Sequence, residues 1–440
     1  MKKFIQTIKN IFSIEELRIR ILNTIGFLII FRLGSFVVLP GVDPAQLTGD
    51  AGGIFGLLNT FLGGAFSRAS VFGLGIMPYI SASIVLQLMT VAVPYFQKLQ
   101  KEGDSGRKKI SQITRVLTIF ICLAQSIGYL TATIPSEAIV LENQFLFQIS
   151  SMVILTAGTI FCMWLGEKIT DKGIGNGISM LIMIGIISRL PASLWYEVVE
   201  VKGLPGALLS ILELVALFLV VMATVALVQA TRRIPVQYAK QVVGNKVYGG
   251  QRQYIPLKVN SSGVMPIIFA QSLMFLPALL AGIWSQDSDI AQYIGTTFSD
   301  IQSWQYNLLF ATLIILFTFF YTAITINPNQ IADDMKRNGG FVPGIKPGKQ
   351  TSDFIDNVLT RITLPGSVFL AVIAILPAFA MMAGVSTTFA QFYGGTSLLI
   401  MVGVILDTLQ QIESYLLMRH YEGMMKSGRV KGRTQNTAVA

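Results

Sequence analysis

Side chains able to do covalent chemistry are scarce in this chain, so the first question is whether any of them sits in a pattern that chemistry requires. The one histidine, His420, is followed by Tyr421 and Glu422. A zinc protease of the HExxH kind needs two histidines, and a Ser-His-Asp relay built on His420 would need a serine elbow that the sequence does not show. Cys122 and Cys162 fall inside long apolar runs, where a thiol behaves as a small buried hydrophobe, and no disulfide is expected. The stretch DKGIGNGIS at 171–179 suggests a phosphate loop. Its glycines are not spaced G-x-G-x-x-G and no strand precedes them, so a tight turn between two helices fits better. Ionisable groups inside a membrane would serve a carrier. The candidates are Arg32, close enough to a span end to snorkel, Glu213, and Asp407, expected as a buried acid in the last span. No catalytic, metal or cofactor set emerges, which points away from an enzyme. A passive conduit and a proton-coupled secondary transporter using Asp407 remain.

The elements that would position such residues follow from composition. Of 440 residues, 52% are hydrophobic and 13% charged, against about a quarter charged in a soluble globular chain. A hydrocarbon core is crossed by roughly 20 apolar helical residues. Ten runs approach that length, near 21–39, 74–95, 111–131, 148–166, 177–190, 207–230, 262–283, 304–326, 362–383 and 393–417. They are continuous rather than alternating, which selects helices over a barrel. The expected fold is an all-α integral membrane protein with ten transmembrane helices in two five-helix halves, residues 21–205 and 206–417. An N-terminal segment, 1–20, and a basic tail, 418–440, flank them. No residue-level repeat relates the halves. The start MKKFIQTIKNIF has a signal-like charged end but no small-residue cleavage pattern. Phe4, Ile5, Ile8, Ile11 and Phe12 share one face of an expected interfacial helix.

Alternate loops differ sharply in charge. Twenty-nine of the 33 basic residues fall on one side of the ten spans, and Arg32, Arg68, Arg189 and Lys202 are the only bases on the other. The positive-inside rule then puts both termini in the cytoplasm. The net charge of +10 is thus concentrated on one face, where anionic lipid would attract it. Two loops on that face are long. In 231–261, β-prone runs flank Gly244-Asn245, as in a protruding hairpin carrying six bases and no acid. In 327–361, NPNQIADDMKRNGG reads as a short helix stopped by glycine. TSDFIDNVLTRIT reads as another, capped by Thr351 or Ser352. Between them a Pro/Gly tip, FVPGIKPGKQ, presents Lys346 and Lys349.

One span looks broken. RASVFGLGIMPYISASIVLQ, 68–87, is apolar but carries an arginine, Gly73, Gly75 and Pro78, and the glycine-rich GGIFGLLNTFLGGAFSRAS before it is too short to cross a membrane.

At GGAFSRASVFGLGIMPYISASIVLQL the chain resembles the SecY/Sec61-alpha family of protein-translocation channels. Further matches are KEGDSGRKKISQ from 101, MWLGEKITDKGIGNGIS from 163, IPLKVNSSGVMP from 255, FYTAITINP from 320, FVPGIKPG from 341 and YGGTSLLI from 393. They run in order through the whole chain. The resemblance implies two clamshell halves around an hourglass pore that passes unfolded secretory chains and releases membrane segments sideways into lipid. It implies a short plug helix at about 59–70, with Gly63, Gly64, Ser67, Arg68, Gly73, Gly75 and Pro78 as plug and hinge. It implies a constriction ring of Ile76, Ile80, Ile178, Ile182, Ile268 and Ile400. The pairs Ile76/Ile80 and Ile178/Ile182 are four apart, so each faces one direction, and a stiff apolar collar can gate by dewetting. A lateral gate would be lined by Gln87, Gln125, Gln271 and Ser272. Ribosome and SecA would dock on Arg232, Arg233, Lys240, Lys246, Arg252, Lys346 and Lys349. Lys346 stands where relatives usually carry arginine and lacks the bidentate fork. SecE and SecG are implied as membrane partners, together with anionic lipid and nascent membrane polypeptides, in the bacterial cytoplasmic (inner) membrane. No cofactor and no DNA are implied.

Overall fold

In the computed structural model, residues 12, 14–47, 59, 62–141, 143–201, 206–238, 241–243, 246–248, 252–271, 273, 274 and 302–426 are described. The expected interfacial helix at the N-terminus, apart from residue 12, and residues 272 and 275–283 of the seventh span lie outside them. Helix α1 (Glu15–Gly34) opens on Glu15 and Glu16 and carries Arg32 in its last turn, each matched to the helix dipole. The chain after it is held by short bridges, Val38 to Ser70 and Val42 to Ile139. Helix α2 (Met77–Ala92) and helix α3 (Pro94–Lys101) meet at a 100° bend. Val93, between them, is extended at φ −112° and ψ 120°, the conformation that a following proline favours.

Then come α4 (Asp104–Thr133), α5 (Gln144–Lys172), α6 (Gly177–Trp195) and α7 (Ala207–Gln229). The glycine stretch expected as a turn does join α5 to α6. Asn176 caps α6 by accepting from the Ile178 and Ser179 amides, which stabilises its start by about 1 kcal/mol. Residues 265–271 are helical. The later helices are α8 (Trp304–Thr325), α9 (Pro328–Arg337), α10 (Lys349–Met382), the short α11 (Thr387–Ala390) and α12 (Gly395–Lys426).

Among the described residues, seven helices are long and apolar enough to cross a membrane, and the bent α2–α3 pair is an eighth candidate. Their outer faces are apolar. On α7, Leu208 is 82% exposed, and Leu212 and Phe218 are exposed beside it. A soluble protein rarely presents such a contiguous face to water, so the solvent here is lipid. Inside the helices, hydroxyls bond back to the preceding turn, as Thr118 does to Thr114 O, Thr318 to Ile314 O and Thr363 to Leu359 O. Polar side chains are thereby satisfied without water.

Four strands on the basic face follow the expected hairpin, in two antiparallel pairs. Strand β1 (Thr231–Tyr238) pairs antiparallel with β4 (Arg252–Lys258), and β2 (Gln241–Val243) pairs with β3 (Lys246–Tyr248) in a register that sets Val243 opposite Lys246. The second long loop adds an edge that sequence pattern alone does not reveal. Strand β5 (Gly340–Phe341) pairs with β1, giving a sheet ordered β4-β1-β5. Ile234, Val236 and Leu257 of this sheet share a buried core with Met335 of α9 and with Ile355 and Leu359 of α10.

Two expectations are corrected here. The helix expected near TSDFIDNVLTRIT is not separate from the ninth span; α10 runs unbroken for 34 residues through Pro365 and Pro377. At 1.5 Å per residue it is about 51 Å long, well beyond a core of about 30 Å. Nor do Thr351 and Ser352 cap it. The cap is Gly348, at φ +105°. The Thr351 hydroxyl instead donates to Lys346 O and that of Ser352 to Asn329 Oδ1, tying the tip and α9 to the first turn of α10.

Candidate functional site

The broken span resolves into a run of turns followed by a helix. Residues 62–69 form consecutive turns, with Gly63 at φ +60°, Gly64 at +86° and Ala69 at +46°. The short helix expected at 59–70 is therefore not helical over these residues, because three of them hold left-handed backbone that an α-helix excludes. Residues 60 and 61 lie outside the described set. The stretch is nonetheless buried: Leu62, Ala65, Phe66 and Ala69 pack with Tyr129 of α4 and Leu155 of α5. The Tyr129 hydroxyl donates to Phe66 O at 2.8 Å, and the Ser67 amide to Asn59 Oδ1 at 3.1 Å. Gly73 and Gly75 are buried, and Gly75 turns the chain at φ +51°. Helix α2 begins at Met77 with Pro78 in its first turn, where a missing amide hydrogen costs nothing.

Three arginines close around Gly63 and Gly64. Arg32 Nη1 donates to Gly63 O at 3.2 Å; Arg68 donates to the same oxygen at 2.8 Å through Nη2 and to Gly64 O at 2.9 Å through Nε. Both guanidinium groups also lie over the Phe36 ring. A methyl placed on Gly64 would meet Arg68 Nη2 at 2.6 Å and Arg189 Nη2 at 3.2 Å. Arg32, expected close enough to a span end to snorkel, donates to Gly63 O. Like charges gathered this closely repel one another. Among the described residues no carboxylate pairs with any of the three. In the chain these arginines stand far apart, at 32, 68 and 189, and no local spacing could bring them together.

Five of the six isoleucines fall in two adjoining clusters, and Ile268 lies in neither. Ile76 is buried with Leu165, Ile169 and Leu181, and Ile80 and Ile178 pack against it. Ile400 is buried with Met180 and Ile186, and Ile182 packs there. Leu28 of α1 touches both clusters, a position that no sequence signal singles out. Ile268 is half-buried and follows Ile267, which is fully buried in a further cluster of the second half. Val264, one turn before, packs against both that cluster and the one holding Ile400.

Several polar contacts join distant elements, four of which bear on the expected gate and on the contact between the halves. The Tyr321 hydroxyl of α8 donates to Gln87 Oε1 of α2. Sequence reasoning misses Tyr321 because its partner is 234 residues away. Gln271 accepts a 3.4 Å bond from Thr396 of α12, within the second half, while Gln125 is exposed on α4 and Ser272 lies outside the described residues. The Gly175 amide donates to Gln411 Oε1 of α12 at 2.8 Å, and the Ser386 amide to Glu197 Oε2 at 3.0 Å.

On the basic face, Arg232 and Arg233 are exposed on β1 opposite Leu257 and Pro256 of β4. Lys346 is exposed at the tip and Lys349 is the first residue of α10. Lys246 and Arg252 begin β3 and β4, and Lys240 lies outside the described residues. Among the described residues no group of three metal-ligating side chains occurs. Asp407 is exposed on α12 rather than buried as expected, because the buried part of that helix ends at Val404 and residues 407, 409, 410 and 411 beyond it are exposed. Cys122 and Cys162 are buried and unbridged as expected, and Cys122 Sγ donates to Thr159 Oγ1.

Residues 70–409 match the family model SecY. A relative from Streptomyces scabiei named protein translocase subunit SecY is 44% identical over 94% of this chain and 98% of its own. A solved structure described as that of a protein conducting channel superposes with a TM-score of 0.61 at 16% identity, covering 90% of this chain and 92% of that one. A second, Sec61 in a canine ribosome-channel complex from the endoplasmic reticulum, gives 0.57 at 15% identity over 90% and 92%.

Proposed function

This chain belongs to the SecY family, and we propose from that premise how its own residues perform the family's work. It is a channel subunit of a protein translocase and a multi-pass membrane protein, not an enzyme. The reading of a conduit replaces that of a carrier using Asp407, which is exposed on α12.

An unfolded polypeptide passes between the two halves, through a collar of Ile76, Ile80, Ile178, Ile182, Ile268 and Ile400. These side chains are apolar and stiff at χ1, so they exclude water and ions without offering the moving chain a polar trap. The observation that carries this reading is the broken span. A buried run of turns, 62–76, leads directly into a helix whose first residues supply the collar, and irregular backbone at membrane depth is tolerated where protein encloses it. The turns act as the plug, and Gly73, Gly75 and Pro78 act as its joint.

The seam between α2 and α8, closed by Tyr321 and Gln87, serves as the lateral exit; interhelical polar contacts in membranes contribute about 1 kcal/mol, weak enough to open. Gln125, Gln271 and Ser272 are assigned to the same exit by the family resemblance alone. Ten spans in two halves, with both termini on the cytoplasmic side of the bacterial inner membrane, agree with the charge asymmetry. The sheet β4-β1-β5 with α9 and the projecting end of α10 docks a SecA motor and the ribosome. Arg232, Arg233, Lys240, Lys246 and Arg252 contact ribosomal RNA phosphates, and Lys346 and Lys349 meet the motor. SecE and SecG complete the membrane complex, and anionic lipid holds the basic face.

Removing residues 62–69 tests the plug. In planar bilayers the shortened channel is expected to leak ions while still translocating. A bilayer that stays as tight as with the intact chain would reject the assignment.

A further inference from the structure

The arginine triad is not explained by conduction. Each guanidinium carries five N–H donors; the described residues take one from Arg32, two from Arg68 and none from Arg189. The three come from separate elements, α1, the 62–69 turns and α6. They converge on one spot: Arg68 Nη2 and Arg189 Nη2 and Nε all lie within 3.3 Å of the point where a Cβ on Gly64 would sit. Arg32 Nη1 and Ser188 Oγ stand 2.5 and 2.9 Å from the corresponding point on Gly63. Glycine at both positions lets the guanidinium groups approach the backbone this closely, where a Cβ would collide with them. The groups are half-buried, which limits water's share in neutralising them.

We propose that Arg32, Arg68 and Arg189 form an oxyanion site that takes a phosphate group. Planar guanidinium forks match phosphate oxygens in pairs, and one bound phosphate supplies the counter-charge that the described residues lack. Inorganic phosphate and the headgroup of an anionic phospholipid share this chemistry. Occupancy ties the 62–69 turns to α1 and α6; the binding itself does not depend on the channel reading.

The test is hydrogen exchange of the 62–76 backbone in the full-length chain, held in a phosphate-free maltoside detergent. Sodium phosphate is compared with sodium chloride at equal ionic strength, and phosphatidylglycerol mixed micelles form a separate arm. Phosphate or phosphatidylglycerol is expected to slow exchange about tenfold relative to chloride. Protection by sodium phosphate assigns free phosphate, and protection by phosphatidylglycerol alone assigns the lipid headgroup. Arg189→Gln, which removes no hydrogen bond to a described residue, is expected to abolish the response, and Arg189→Lys to keep only part of it. No protection from either source, or an Arg189→Gln chain that responds as the wild type does, would overturn the site.

Discussion

Gly64 shows how much one residue can decide. Its backbone lies at φ +86° and its missing side chain leaves room for Arg68 and Arg189. Gly64→Ala adds left-handed strain and crowds both guanidinium groups, so the 62–69 turns are expected to lose about 1–3 kcal/mol of local stability. Faster hydrogen exchange confined to that stretch would be the readout. At the seam, Tyr321→Phe and Gln87→Leu each remove one partner of the same hydrogen bond. A double-mutant cycle on thermal stability is expected to give coupling of about 0.5–2 kcal/mol, and additivity would show that the two residues do not act together. Gln87 is legible in the sequence because a polar residue in an apolar run is conspicuous. Tyr321 is not, since it looks like any aromatic near a span end until α8 is set beside α2. The isoleucines are legible only through family resemblance, because an isoleucine in a membrane helix ordinarily packs against lipid or a neighbour.

Helices and strands are more legible than their boundaries. The apolar runs locate α4 to α8 because long apolar stretches of that kind permit little else. The extent of α10 is hidden because Asp353, Asp356 and Arg361 read as a solvated loop helix; they are the exposed face of a helix whose other face packs on the sheet. The hairpin is legible from turn residues, but β5 is not, since two residues of strand carry no periodicity. The docking platform therefore depends on a core drawn from both loops. Leu359→Ala is expected to cost the platform roughly 2–5 kcal/mol. It should loosen 231–258 and 328–360 together in hydrogen exchange while leaving α4 to α6 unchanged. Loosening of α10 alone would mean that the two loops fold separately. On the platform's surface, Arg232→Ala with Arg233→Ala is expected to weaken ribosome binding. The slope of log affinity against log salt should become shallower by about one for each phosphate that these arginines neutralise.

At the scale of the molecule, the described residues of the two halves meet through few polar contacts, among them Tyr321 with Gln87, Gly175 with Gln411 and Ser386 with Glu197. Elsewhere they share apolar packing around Leu28 and Val264. Apolar surfaces without interlocking hydrogen bonds can separate and close again, which a conduit for a passing chain requires. Composition is enough to establish the membrane class; it does not say what is conducted, because a collar of isoleucines carries no substrate signature. Asp407→Asn is expected to leave secretion nearly intact, whereas a carrier built on that acid would stop. The most direct measurement places a photo-crosslinking residue at Ile80 and at Ile400, one in each half, and stalls a secretory chain in transit. Crosslinks from both positions to the same stalled chain are expected; a translocating chain that crosslinks at neither, nor at any other collar isoleucine, would contradict passage between the halves.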